Sequence, residues 1–410
     1  MFRLDHTVAG MSTLTAPASS DDTDRGRAAG RIISGPLALL FLSTFGALTS
    51  FYLLLSATPM YAAAAGSGST GAGLVTGVLL LGTVAAELSA PFLMKRYAYR
   101  TLLVIGAVLL GVPALALLVR GSLLVIVTAS VIRGFGFGLS TVIAGALTAM
   151  LLPPDRRGEG LGLYGIVDTA PGVVALPAGI WLAGHYGMPV VIVMTAVTAL
   201  VPLAVFPWLP GTAASRRLAD APVERQAGLL AALRDAGQLR PSLIFAASTV
   251  AAGVVVSFLP LATGVSRNVA AIGLLAQALT ATLGNWWAGR YGDRRGHARL
   301  LVPGLAIAAA GLAAMVWPAV PAVVIAGMCL FGAGFGMLQN ATFVLMIDRM
   351  PASGLGTASA LWSLAYDAGY GAGPAVFGLA VGHTGYPAAF AMTGVLMLAA
   401  LPAARRERRQ

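Results

Sequence analysis

Charged side chains are scarce in this sequence. Only 10% of the 410 residues are Asp, Glu, Lys or Arg, whereas 58% are apolar, and the mean hydropathy is +0.84. A typical soluble domain has roughly 25% charged residues, and a soluble chain of this composition would leave much apolar surface in water. The scarcity of charge therefore excludes an ordinary soluble protein and indicates insertion into a lipid bilayer.

Groups that bind metals and cofactors are also rare. A lone cysteine, Cys329, can form neither a disulfide framework nor a cysteine metal cluster. The four histidines are dispersed without metal-ligand spacing: His6, His185, His297 and His383. The sequence contains no phosphate-binding loop of the form G-x-x-x-x-G-K-[ST] and no G-x-S-x-G nucleophile motif. We therefore predict that the protein binds no metal or cofactor, is not powered by ATP hydrolysis and is not an enzyme.

Acidic residues are fewer than basic ones, 15 against 26, which gives a formal charge of +11. An excess of basic residues can indicate binding to nucleic acid. Here, however, 23 of the 26 basic residues fall in every second loop, together with the two tails. The opposite loops keep only Arg120 and Arg267, and Arg133 lies inside an apolar run. This positive-inside pattern predicts an inner-membrane protein with both termini in the cytoplasm and an even number of crossings. We expect no nucleic-acid partner.

Twelve apolar runs are long enough to cross a bilayer, since a crossing needs about 20 residues at a rise of 1.5 Å each. Six lie within 32–209, near 33–57, 72–94, 101–119, 122–151, 160–183 and 189–209. Six lie within 241–404, near 241–262, 270–289, 300–317, 322–347, 356–381 and 388–403. The polar segment 210–240 is predicted to be a cytoplasmic linker. Residues 1–31 are predicted to be a disordered cytoplasmic tail and residues 405–410 a basic cytoplasmic tail.

An internal repeat relates the two sets of runs at an offset of 198 positions. The first half has Gly134-Phe135-Gly136-Phe137-Gly138, which aligns with Gly332-Ala333-Gly334-Phe335-Gly336 in the second. The repeat is visible only from about residue 96. Because six runs fit inside one offset, both halves have the same orientation in the membrane. We therefore predict an all-α membrane protein with twelve transmembrane helices, built as two parallel six-helix repeats.

A glycine- and arginine-rich motif lies between the eighth and ninth runs. It reads Gly289-Arg290-Tyr291-Gly292-Asp293-Arg294-Arg295-Gly296, and it resembles the cytoplasmic loop signature of the major facilitator superfamily. The first-half copy differs, because Lys95 stands where Asp293 stands in the second half. The resemblance implies the major facilitator fold and alternating access about a central site. It also implies that Gly289, Asp293, Arg294 and Gly296 form a gating loop.

Arg133 and the glycines after it resemble the fourth helix of drug:proton antiporters in that superfamily. The rise of a helix places Arg133 near the middle of the bilayer, where an isolated charge is costly. Two interpretations remain open for Arg133, a structural ion pair inside the first half or a part in proton or substrate coupling. The resemblance favours proton-coupled efflux of a small organic solute. Proton-coupled uptake is the alternative, and a receptor that transports nothing is a third hypothesis.

Three carboxyl groups also lie deep in apolar runs: Glu87, Asp168 and Asp367. A buried carboxylate tends to take up a proton rather than remain charged, so these residues are candidates for proton or substrate binding. The alternative is that each carboxyl group accepts permanent hydrogen bonds from nearby donors and has only a structural role.

Four uncharged polar side chains extend the candidate cavity: Gln277, Asn285, Gln339 and Asn340. Hydrogen bonding between helices is the commoner use of such residues. The partners that we expect overall are a small-molecule substrate, protons and the lipid bilayer, and we expect a monomer.

Overall fold

The computed structural model describes residues 34–119, 122–152, 157–209, 232–350 and 354–408. The predicted tail 1–31 lies outside these ranges, as does most of the predicted linker, residues 210–231. Within them the secondary structure is helical throughout, with no strand. Twelve long helices form two sets of six, so the predicted all-α fold with twelve helices is confirmed.

The first half contains six helices in chain order. They are α1 (Gly35–Ala62), α2 (Gly68–Arg96), α3 (Tyr99–Ala116), α4 (Leu123–Leu151), α5 (Arg157–His185) and α6 (Met188–Leu200), and a tighter helical segment, Val201–Trp208, continues α6. A π-helical turn, Ala63–Ser67, joins α1 to α2.

The second half repeats this arrangement. Its helices are α7 (Ala236–Phe258), α8 (Arg267–Arg295), α9 (Leu301–Ala313), α10 (Pro321–Asp348), α11 (Leu355–Thr384) and α12 (Tyr386–Leu398), followed by a short helix α13 (Leu401–Glu407). Tight helical turns flank α9, so that the whole segment His297–Val316 is 20 residues long.

Ten segments of the described chain are long and apolar enough to cross a membrane. The first of them, Gly35–Arg96, is 62 residues long and contains both α1 and α2. The helix α11 is not among the ten, and it carries Asp367 and several glycines between its apolar residues. The chain is therefore a multi-pass membrane protein.

Local signals in the sequence set the ends of several helices. The side chains of Ser34, Ser122 and Ser266 each accept a hydrogen bond from the backbone N–H three residues later, which satisfies a free donor in the first turn. Gly187 and Gly385 precede α6 and α12 with φ of 84° and 74°. Other residues rarely adopt this conformation, and the two glycines are equivalent positions of the repeat.

Contacts between helices show that the repeat is structural. In the first half, Gly134 of α4 lies against the carbonyl of Leu79 in α2, and in the second half, Gly332 of α10 lies against the carbonyl of Gln277 in α8. These two pairs are related by the sequence offset. The equivalence of the halves therefore extends to α2 and α8, beyond the part of the sequence in which it is visible.

We call the side of the molecule with the arginine-rich ends of α2 and α8 the basic face, and the other side the opposite face. The basic face carries Lys95, Arg96, Arg294, Arg295 and Arg299. The two halves meet near the opposite face, where α2 packs on α11 and α5 packs on α8.

The α2–α11 contact depends on small residues. Ser69 donates a hydrogen bond of 3.0 Å to the carbonyl of Gly378. A Cβ atom on Gly73 would overlap the carbonyl of Pro374, so the two backbones touch. On the other side of the molecule, Gly184 of α5 lies against the side chain of Arg267 in α8.

On α5, the residues near the basic face are less covered than those near the opposite face. Thr169 is exposed, whereas Leu176 and Ile180, two and three turns further along the same side of the helix, are buried. The side of α5 that carries Thr169 is therefore most accessible toward the basic face.

The last described helix is fixed to the second half by a buried carboxylate. Glu407 is 1% exposed and pairs with Arg349, which also donates a 2.7 Å hydrogen bond to the carbonyl of Gly237. Arg240 approaches the same carboxylate at 3.9 Å. The predicted basic tail, residues 405–410, therefore begins inside α13.

Candidate functional site

A pair of carboxyl groups lies where the two halves meet. The side chains of Glu87 of α2 and Asp367 of α11 lie close enough to form a hydrogen bond with each other. Asp367 is 7% exposed, and Glu87 is partly buried. Both lie nearer the basic face than the contact of Gly73 with Pro374.

Such a pair has a definite proton content. Ionised carboxylates only accept hydrogen bonds, so two carboxyl groups can be hydrogen-bonded to each other only when one of them carries a proton. Two negative charges at this separation would also repel each other strongly, because the surroundings are poorly solvated. The pair can therefore hold a proton and release it when the two side chains separate.

Asp168 lies apart from this pair, on α5. Its side chain is exposed although the residue sits within a membrane-spanning helix. Tyr164 is one turn before it on the same side of α5, and the ring of Tyr52 from α1 lies against Gly172, one turn after it. Tyr366 of α11 is also close enough to interact electrostatically with Asp168. Three tyrosines from three helices thus surround one carboxyl group.

Aromatic rings form a continuous row on α11. Trp362, Tyr366 and Tyr370 follow one another at one-turn spacing, and successive ring centroids are 6.1 and 5.5 Å apart. Phe245 of α7 stacks on Trp362 at 4.4 Å. The second half therefore presents an aromatic wall next to Asp367.

Arg133 contacts backbone carbonyls inside the first half. Its Nε donates to the carbonyl of Leu110 in α3 at 3.0 Å, and its Nη2 donates to the carbonyl of Ser50 in α1 at 3.0 Å. The residue is 2% exposed, and among the described residues no carboxylate forms an ion pair with it. Its charge is stabilised by backbone carbonyls inside the first half rather than directed into the central space.

The four amide side chains are also divided between roles. Asn340 of α10 donates a hydrogen bond of 3.3 Å to Asn285 of α8. Hydrogen bonding between helices is the commoner role of such side chains. Gln277 is 8% exposed, and Gln339 is partly buried. Among the hydrogen bonds of the described residues, none joins these four side chains to Glu87 or Asp168.

Most of the predicted gating loop is helical. Gly289, Asp293 and Arg294 belong to the last turns of α8, and of the four residues only Gly296, with φ of 90°, lies in the connection. The loop expectation was wrong here because α8 continues past the apolar run to Arg295 and ends only at Gly296. The side chain of Asp293 is 77% exposed, and its nearest basic partner is His297 at 3.7 Å.

Tyr52 and Tyr164 were not among the site residues predicted from the sequence. The one-turn spacing of Tyr164 and Asp168 was a usable signal, since side chains one turn apart share a side of the helix. Tyr52 gave no such signal, because it reaches Asp168 only through the packing of α1 on α5.

Comparison with known families decides what kind of protein carries this site. The sequence matches the Major Facilitator Superfamily over residues 40–352 and again over residues 241–409. This chain belongs to the major facilitator superfamily. The protein is therefore a secondary transporter that works by alternating access between its halves, and membership favours transport over the enzyme and receptor hypotheses.

Solved structures of other major facilitators share the fold. The nucleoside transporter NupG superposes with a TM-score of 0.73 at 12% identity, over 92% of this chain and 100% of its own. A D-xylose-proton symporter gives 0.72 at 16% identity, over 90% and 96%. A bacterial homologue of the human lysosomal transporter Spinster, in an inward-facing and occupied conformation, gives 0.73 at 16% identity, over 91% and 96%. At these identities only the fold carries over, and the drug:proton antiporter branch stays a prediction.

Proposed function

We propose that this major facilitator couples transport of a small organic solute to protons, and that Glu87 and Asp367 are the proton site. The observation that supports this most directly is that the two carboxyl side chains, which come from different halves, lie within reach of a hydrogen bond to each other. A proton held between the halves is sensitive to every movement of one half against the other.

The coupling follows from the position of the pair. α2 and α11 belong to different halves, so rotation of the halves changes the distance between the two carboxyl groups. When the carboxyl groups are together they share a proton, and when they separate, each meets a different environment and the proton can leave. A substrate that binds in the central space and favours one arrangement of the halves changes proton affinity through the same movement.

For the direction of transport, we propose efflux. The support for efflux is that Arg133 and the glycines after it resemble the fourth helix of drug:proton antiporters. Uptake is the second candidate, because the D-xylose-proton symporter shares the fold.

Flux through everted membrane vesicles tests both the coupling and the direction. A panel of labelled organic solutes is compared in wild-type, Glu87→Gln and Asp367→Asn vesicles, with either sign of pH gradient. We expect an acidic lumen to drive accumulation in the wild type, as proton–solute antiport requires. Both variants should lose this gradient-driven accumulation while keeping exchange of solute down its own gradient.

Asp348→Asn provides the matched control, since Asp348 is an exposed carboxylate at the end of α10. This variant should behave as the wild type. If an acidic exterior drives accumulation in the vesicles instead, the direction of transport in the cell is uptake rather than efflux. If wild-type flux of every transported solute is independent of the pH gradient, proton coupling is wrong. If both carboxyl variants remain fully coupled, the Glu87–Asp367 pair is not the proton site.

A further inference from the structure

The charge of the central space indicates which solutes it accepts, and this inference rests on the proposed function because it concerns the same transport pathway. Asp168 is an exposed carboxyl group inside the span, and it lies apart from the Glu87–Asp367 pair. A charge at that depth is costly unless water or an opposite charge meets it. Because Asp168 is exposed, water or a bound cation can reach it.

No cation of the described part of the first half is positioned to neutralise Asp168. The deepest one, Arg133, is 2% exposed and donates to the carbonyls of Leu110 and Ser50. Its guanidinium is therefore committed to the packing of α1, α3 and α4. Asp168 keeps its negative charge available to a molecule that enters the space.

The surroundings of Asp168 are aromatic. Tyr164 is one turn before it on α5, and the ring of Tyr52 lies against Gly172 one turn after it. Tyr366 approaches from the other half. A carboxylate among aromatic rings favours an organic cation, because the carboxylate supplies the opposite charge and aromatic rings attract cations through their quadrupoles.

We propose that Asp168, with Tyr52, Tyr164 and Tyr366, binds the positively charged group of an organic cation that bears aromatic or other apolar surface. In this arrangement the substrate and the proton use different carboxyl groups. Tyr366 precedes Asp367 directly in α11, so a cation bound at Asp168 also contacts the helix that carries half of the proton site. A neutral or anionic solute gains nothing from Asp168.

Two probe ions of the same shape and opposite charge test the inference. Tetraphenylphosphonium and tetraphenylborate are equally aromatic, so equilibrium binding of each to the purified full chain in detergent isolates the effect of charge. Only binding displaced by an excess of unlabelled probe is counted. We expect displaceable binding of the phosphonium, about 10- to 100-fold weaker in Asp168→Asn, which is the range for loss of a charged partner.

Asp348→Asn is again the matched control and should bind the phosphonium as the wild type does. Asp168→Glu keeps the charge and should retain more affinity than Asp168→Asn. Tyr52→Leu provides a second route if the Asp168 variants fail to fold, as judged by size exclusion, and it should weaken phosphonium binding by several fold.

Three outcomes would overturn the inference. They are tighter displaceable binding of the borate, unchanged phosphonium affinity in Asp168→Asn, and the absence of displaceable phosphonium binding to folded wild-type protein. None of these measurements needs a pH gradient, so their result is independent of the flux test of proton coupling. If the phosphonium binds through Asp168 but solute flux does not depend on the pH gradient, this inference is supported and the proposed proton coupling is wrong.

Discussion

A buried arginine in a membrane protein can be stabilised by carbonyl oxygens as well as by carboxylates. Arg133 uses two carbonyls, those of Leu110 and Ser50, and thereby ties α4 to α3 and α1. The planar guanidinium presents several donors in a fixed geometry, which suits two acceptors on different helices. Because its donors are directed at the backbone, we infer a structural role for Arg133.

Arg133→Lys tests this role. Lysine keeps the charge but lacks the fixed fork of donors, so at least one of the two hydrogen bonds should be lost. Each hydrogen bond of a charged group is worth about 1.5–3 kcal/mol, and we expect a lower melting temperature in detergent. Flux per folded molecule should keep its dependence on the pH gradient.

Arg100→Lys is a suitable control for that measurement. Arg100 also donates to a backbone carbonyl, that of Pro207, but at an exposed position. It should have little effect on stability. A variant Arg133→Lys with unchanged melting temperature and lost proton coupling would favour the coupling role that the sequence left open.

Among the helix contacts, we expect the packing of α2 on α11 to act as a closed gate on the opposite face. Gly73 has no room for a Cβ atom beside Pro374, and Thr76 forms a 3.0 Å hydrogen bond with Ser257 of α7 one turn further on. Small residues let helices approach closely in a membrane, where packing replaces the hydrophobic effect as the driving force. A larger side chain at Gly73 should therefore hold the halves apart on that face.

Gly73→Val is expected to open the gate. Cys329 is the one native cysteine, so Cys329→Ser gives a cysteine-free background, to which Thr76→Cys adds a reporter that is 2% exposed in the closed gate. A membrane-impermeant maleimide applied from the opposite face should react slowly with this reporter and several fold faster when Gly73→Val is added.

Gly382→Val serves as the comparison for the gate experiment. Gly382 is on α11, but a Cβ atom there would meet nothing within 4 Å. The reporter should react at the slow rate in this variant. If Thr76→Cys reacts at the same rate with and without Gly73→Val, the contact of α2 and α11 does not close the gate.

At the scale of the whole molecule, the distribution of basic residues predicts the orientation in the membrane. Alkaline phosphatase, which is active only outside the cytoplasm, should be inactive when fused after Arg408 and active when inserted after Trp317, between α9 and α10. A fluorescent protein fused after Arg408 should fold and fluoresce. Activity of the phosphatase at the C-terminus would reverse the assignment of the basic face to the cytoplasm.

The sequence placed the three carboxyl groups in helices but did not predict which residues they meet. Glu87, Asp168 and Asp367 lie within α2, α5 and α11. The sequence placed Glu87 and Asp168 together in one half and left Asp367 alone in the other. The structure instead pairs Glu87 with Asp367 across the halves.

Helix existence, helix number and the repeat were readable from the sequence, because lipid acts on each segment separately. A run of about 20 apolar residues is stable across a bilayer whatever its neighbours are, and positive charges set orientation loop by loop. Partnerships between side chains depend instead on the rotation and tilt of each helix against others. Those angles come from packing contacts between distant segments, such as Gly73 with Pro374. For that reason only the tertiary structure decided that Arg133 meets carbonyls, that Asn285 meets Asn340, and that Glu87 of one half approaches Asp367 of the other.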